Sequence, residues 1–551
     1  MVKQLLILLT LIQLSFFTFT QSLPNAKNTT RADTLRGSIT KERAWWDLKQ
    51  YELSVSVNPT KKTISGRNSI TYEVISEATL MQIDLQRPLK IKKITQEGKN
   101  LKSHREGNVY FVKLKKKQTL GEINQIHITY NGKPREARMA PWDGGFSWKK
   151  DELNNDFIAT SCQGLGASVW WPCKDHMYDE PDNGMTIHAT IPKGLMAVSN
   201  GRLVDSLIND KTNTYTWKVV NPINNYGVNL NIGNYVHFGE KYQGEKDELD
   251  MDYWVLKQNL NQAKVQFKDA KRMMEAFEHW FGPYPFYEDS YKLVEVPYLG
   301  MEHQSSVTYG NGYQNGYLGR DLSGTGWGKK FDFIIIHESG HEWFANNITY
   351  KDIADMWLHE SFTSYSEALF LEYFYGKKAA AAYIIGKQKT IQNKSPMISN
   401  YGINESPTND IYNKGSSMLH TLRQWLNNDE MWRNLLRNLN SEFYHKTVSS
   451  KEVEEYIAQF LGLDLNSFFN QYLRDVRVPT FTYKIENNNQ LLYKWTNCNK
   501  DFDMPLQVII DGEKQTLKFN KNQEFNSFKL NSGKHQISVD PNYYVFIEKW
   551  K

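Results

Sequence analysis

The stretch FDFIIIHESGHEWFANN, Phe331 to Asn347, runs from phenylalanine and isoleucine straight into His-Glu-x-x-His. On a helix, His337 and His341 are four apart and share one face, one turn apart. That spacing lets two imidazole nitrogens reach one cation at about 2.0–2.1 Å each. Glu338 borders the same site and can take a proton from water without ligating the metal. Catalytic zinc takes three protein ligands and keeps a fourth position open. A third histidine six residues beyond His341 would complete one pattern, but that position is Asn347. The next helical segment, DMWLHESFTSYSEALFLEYFYG, offers Glu360, and a helix end, a turn and a returning first turn would bring it beside the histidines. His337, His341 and Glu360 are therefore expected to hold one Zn2+. With 13 histidines in the chain, an HExxH arises by chance in roughly a few per cent of such sequences. A chance copy on a helix with a correctly spaced glutamate is rarer. His359 points about 100° away from Glu360 and is read as a neighbour. Glu342 is read as facing away from the metal, into solvent.

The elements that must carry these residues are visible in the hydrophobic pattern. From about Asp47 to Phe238, short alternating segments (YELSVSVNP, NSITYEVI, VYFVKL, IHITYNG, TYTWKVV) read as strands between turns. They imply a β-rich domain, a sandwich. NLNQAKVQFKDAKRMMEAFEHWFG then shows helical spacing and stops at Gly282-Pro283. A strand, YKLVEVPYL, and a glycine-rich loop, YGNGYQNGYLGRDLSGTGWG, lead into helices from Phe331 to about Leu473. Asp355 is expected to cap the Glu360 helix and Gly376 to stop it. From Val478 to Lys551 the pattern is β again. The fold class is α+β multidomain: residues 1–22 a signal peptide, 23–245 an N-terminal β domain, 246–475 a catalytic domain and 476–551 a small C-terminal β-sandwich.

With 551 residues, several domains are expected. The net charge of +5 is dispersed, with no basic stripe, so nucleic acid is not implied. Lys3 followed by the apolar run Leu5 to Phe19 suits a secretory signal and is short for a membrane span of about 20 residues. An exported chain, periplasmic or extracellular, is expected, with an uncleaved anchor as the alternative. No partner protein is implied. Of three cysteines, Cys162 and Cys173 could pair, leaving Cys498 odd; spacing alone leaves this open.

HESGHEWFANN followed by LHESFTSYSE resembles the gluzincin aminopeptidases, the aminopeptidase N and leukotriene hydrolase family. PYLGMEHQ at Pro297–Gln304 is similar to the family's Gly-x-Met-Glu-Asn strand, and IYNKGSSMLHTLR at Ile411–Arg423 to its Tyr-x-Lys-Gly helix. TSCQGLGASVWWPCKD at Thr160–Asp175 resembles its N-domain segment, so the likeness spans about residues 45–475. The resemblance implies a saddle-like N-terminal sandwich, a thermolysin-like catalytic domain and removal of N-terminal residues from peptides. It implies that Glu302 and Gln163 hold the substrate's free ammonium and that Gly300 lets the peptide backbone approach. Tyr412 would hydrogen-bond the oxyanion, and Glu367 would support the metal ligands from behind. Leu299 and His303 depart from the family strand; His303 is read as a packing residue. A helical superhelix that caps the site in some relatives is not among these segments, so a more open site is expected. The rival readings are a thermolysin-type endopeptidase, the epoxide hydrolase branch and a catalytically silent binding protein.

Overall fold

Alternation of apolar and polar residues builds the first domain. In the strand Trp46–Asn58, Leu53, Val55 and Val57 are buried while Glu52, Ser56 and Asn58 are exposed, the period-2 signature of a sheet with one dry face. The computed structural model describes residues 29–487, 489–520 and 522–550. The signal segment expected at residues 1–22 lies outside the described residues. All five segments read as strands in the first domain are strands. Trp46–Asn58 sits inside an eight-stranded sheet, parallel to Met185–Pro192 and antiparallel to Thr63–Val74. Smaller three- and four-stranded sheets complete the domain, and Trp46, Trp170, Trp171 and Trp217 fill its core.

A five-stranded sheet opens the catalytic part, in the order Tyr235–Gln243, Glu248–Leu256, Tyr291–Glu295, Val307–Tyr309, Gly300–Met301. The turn of its first hairpin spans the position dividing the first two expected domains, and both strands belong to the catalytic sheet. The helical segment expected near residue 260 is two helices, Leu260–Gln266 and Lys268–Phe281, ending at Gly282 with φ of 91°. The glycine-rich stretch is largely irregular, as expected. Helices then dominate: Phe333–Gly340, Trp357–Tyr375, Lys377–Lys387, Asp410–Leu426, Asp429–Glu442, Ser450–Leu461 and Asn466–Arg474.

Two packed β-sheets close the chain, one of four strands and one of three. Their buried residues, among them Phe481, Leu491 and Leu506, belong to the same hydrophobic core as Leu422, Phe468 and Tyr472 of the helices. The core of the N-terminal domain continues into the catalytic sheet, taking in Leu256, Val294, Val296, Tyr298 and Met301. The helices beneath the site approach closely because Gly415 has no side chain: a Cβ there would meet Ser361 Oγ of the Glu360 helix at 1.8 Å. Any other residue would force the Tyr412 helix away from the Glu360 helix.

Candidate active site

The greasy run before the histidines has a simple cause. The helix Phe333–Gly340 lies wholly inside the domain, so Phe333 to Ile336 are buried on every side. Asp332 caps it, Oδ1 accepting from Ile334 N (3.1 Å) and Ile335 N (3.4 Å), and is itself held by Tyr309 OH at 2.7 Å. The helix ends at His341, earlier than Asn347: Phe344 and Ala345 have non-helical backbone angles, and the chain turns into the strand Ile348–Tyr350. The Glu360 helix, Trp357–Tyr375, stops at Gly376 as expected, with φ of 85°. Asp355 does not cap it. A short turn, Ile353–Asp355, precedes the helix, so the Asp355 side chain swings to the neighbouring helix start and accepts from Ser450 N at 3.1 Å and Tyr401 OH at 2.6 Å.

The two imidazoles stand nearly perpendicular, 85°, with centroids 5.1 Å apart. Each has its Nδ1 engaged: His337 donates to Glu367 Oε1 at 2.8 Å, and His341 to the Phe344 carbonyl at 3.0 Å, with Thr363 Oγ1 also 3.0 Å away. Both Nε2 lone pairs are thereby aimed at Glu360 Oε2, 3.7 Å from His337 and 3.4 Å from His341. Bonds of 2.0–2.1 Å in a tetrahedron give ligand–ligand edges of about 3.3 Å. Glu360 Oε2 is buried and accepts no hydrogen bond. A buried, unpaired carboxylate oxygen facing two imidazole lone pairs fits a cation. His337, His341 and Glu360 offer ligand atoms within 4.8 Å of one another, a mononuclear zinc triad. Burial opposes charge at His337, yet the Glu360 and Glu367 carboxylates outweigh it and raise its pKa, so the two acids place a negative field where a cation would sit.

All nine residues given a role in the site from the sequence, Glu367 among them, line one cleft of about 520 Å³. Glu338 is half-buried, and burial pushes its carboxyl up to about 7, with Glu302 adding to the rise. Tyr412 lies over His337, ring centroids 6.2 Å apart. Burial, then the Glu360 and Glu302 carboxylates, push its hydroxyl well above the usual range, so it keeps the proton it would donate. Glu302 follows the edge strand Gly300–Met301 and is buried. Gln163 Nε2 donates to Glu302 Oε1 at 2.6 Å and reaches Glu360 Oε1 at 3.3 Å. Gly300 has a packing reason of its own: a Cβ would meet Ile334 Cγ2 at 2.6 Å and Glu338 Cγ at 3.4 Å, displacing the histidine helix.

Several supports carry no signal in the sequence. Glu367 is locked by Tyr383 OH and Lys387 Nζ, each 2.6 Å from Oε2, so a lysine and a tyrosine on the next helix brace His337. Tyr226 OH donates to Glu302 Oε1 at 3.0 Å. Glu342 is not solvent-facing. It is buried, accepts from Ser305 N at 2.8 Å, and burial pushes it up to about 8. Because the helix is interior, the face opposite the metal meets the loop after Glu302 instead of water. His359 is no ligand: its Nε2 accepts from Tyr350 N at 3.0 Å. His303 packs, fully buried, with burial lowering it to about 3. Cys162 and Cys173 are both buried free thiols, so the pairing left open is not made.

The Peptidase family M1 domain model matches residues 265–472, and the Peptidase M1 N-terminal domain model residues 48–226. The chain belongs to peptidase family M1. An M1 zinc metallopeptidase from Deinococcus radiodurans shares the fold, at 21% identity and a TM-score of 0.67, over 79% of this chain and 94% of its own. The M1 chain is also similar to Probable aminopeptidase 1 of Sulfurisphaera tokodaii, 21% identical over 90% of this chain. It is 22% identical to Leukotriene A-4 hydrolase of Xenopus laevis over 75% of this chain and 68% of that protein. The M1 chain spans 62% of the length of the Sulfurisphaera relative. Among the described residues, no helix of this M1-family chain is long and apolar enough to cross a membrane.

Proposed function

We propose that the protein is a zinc aminopeptidase that removes single residues from the free N-terminus of peptides. The observation that carries this is the buried Glu302 carboxylate, bridged by Gln163 to Glu360 of the zinc triad. An endopeptidase has no use for an acidic group one residue from the reacting carbonyl; a peptide ammonium does. Curated relatives named aminopeptidases and a Deinococcus radiodurans mutant structure holding a Tyr-Ser-Ala substrate support the reading.

Zinc, when bound by His337, His341 and Glu360, supplies Lewis acidity at the scissile carbonyl and the attacking water. Glu338 takes the water's proton and returns it to the departing amine nitrogen. Tyr412 donates its hydroxyl hydrogen to the carbonyl oxygen as charge develops there. Glu302 and Gln163 fix the ammonium, which sets the cut after the first residue. Export belongs to the same proposal, supported by Lys3 and the apolar run Leu5 to Phe19; the N-terminal sequence of the mature chain tests it.

The test of the activity is a panel of aminoacyl fluorogenic amides with their N-acetylated counterparts and an epoxide substrate. Turnover of free-amine amides alone, abolished by chelator and restored by zinc, is expected. Equal cleavage of acetylated amides, or turnover of the epoxide alone, overturns the reading.

A further inference from the structure

Glu302 presents its two oxygens unequally. Oε1 already accepts two hydrogen bonds, from Gln163 Nε2 at 2.6 Å and from Tyr226 OH at 3.0 Å. Both donors come from the N-terminal domain, and Tyr226 is buried, 4% exposed. The turn that carries Tyr226 is fastened to the catalytic domain beside that phenol as well, through Asn224. Asn224 Oδ1 accepts from Gly227 N at 2.6 Å, closing the turn, while Asn224 Nδ2 donates to Asn346 Oδ1 at 3.2 Å. Asn346 Nδ2 donates in turn to the backbone carbonyl of Glu302 at 2.9 Å. Asn225 anchors the other side, Nδ2 donating to the Lys174 carbonyl. Backbone and carboxylate of Glu302 are thus fixed against the same turn.

We infer that Tyr226 is a positioning residue for substrate recognition: with Gln163 it occupies Glu302 Oε1 and leaves Oε2 as the oxygen that receives the peptide ammonium. This rests on the reading of Glu302 as the amine anchor and adds the group that orients it. A carboxylate held by two donors on one oxygen has its plane fixed before substrate arrives, so less ordering is left to binding. Removing the phenol hydroxyl leaves Gln163 alone on Oε1, and that amide is shared with Glu360. The carboxylate then turns about its last bond and the ammonium loses its preset partner. A hydrogen bond to a charged group contributes enough that about a tenfold loss is expected.

The experiment uses Tyr226→Phe, which removes one oxygen atom from a buried ring. Two zinc-directed inhibitors are compared on the full-length zinc enzyme: leucine hydroxamate and its des-amino analogue, 4-methylpentanoyl hydroxamate. The wild type is expected to prefer the amine-bearing ligand. In Tyr226→Phe that preference falls about tenfold, KM for leucyl amides rises more than kcat falls, and the des-amino ligand binds unchanged at one zinc per chain. Equal weakening of both ligands, or loss of zinc, assigns Tyr226 to general packing and overturns the inference. An unchanged preference shows the hydroxyl idle and overturns it too. A wild type indifferent to the amine removes the Glu302 reading itself, an outcome separate from any effect of the variant.

Discussion

The zinc edge of the cleft comes from residues 337–360, on two helices packed face to face, whereas the amine edge is gathered from three distant segments. Gln163 and Tyr226 lie 139 and 76 positions from Glu302, and both belong to the other domain. The first edge is specified by local periodicity and a short connection, the strand Ile348–Tyr350 and the turn Ile353–Asp355. The second exists only where the N-terminal domain meets the catalytic sheet, so its geometry depends on contacts such as Asn224 to Asn346. Metal chemistry therefore rests within one domain, and substrate register rests on an interface.

That contrast can be broken by variants that separate the two edges. Glu338→Gln removes the proton carrier and leaves both edges intact. It should keep one zinc per chain and the amine preference while kcat drops about 10²–10⁴-fold; near-normal turnover would end the mechanism. Glu302→Ala should act on the amine edge alone. Truncating one partner of a buried charge pair costs about 2–5 kcal/mol, so kcat/KM for free-amine amides should fall on the order of 10²-fold or more, with zinc affinity unchanged. Zinc loss in this variant would show that the edges are one unit. Glu367→Gln should do the reverse, weakening zinc about 10–100-fold in a chelator competition while the ratio of amine to des-amino inhibitor affinity stays at the wild-type value. A shifted ratio there would mean that the metal edge also sets the register.

How much could be read from the sequence follows the same division. His337, His341 and Glu360 were legible because helical spacing turns residue numbers into geometry. The strands of the first domain were legible through alternation, as in Trp46–Asn58. Glu302, Gln163, Gly300 and Tyr412 needed the family resemblance, since no period connects them to the triad. Tyr226 carried no mark at all: it sits in a turn, NNYG, whose role is set by the domain it touches. Glu342 and Asp355 failed for a related reason. Both were assigned from position on a helix, yet an interior helix has no solvent side, and a preceding turn moved the cap. The apolar run Phe333–Ile336 did mark a helix buried on every side; what meets Glu342 beyond its end is set by the fold.

The core shared by the catalytic helices and the closing sheets bears on how the molecule comes apart. Tyr544 N donates to Thr421 Oγ1 at 2.9 Å, and His420 lies 2.9 Å from Asn542, so the segment between the last two strands buttresses the rear of the helix that carries Tyr412. Residues past 475 are then no detachable appendage: calorimetry should show them melting together with the zinc site.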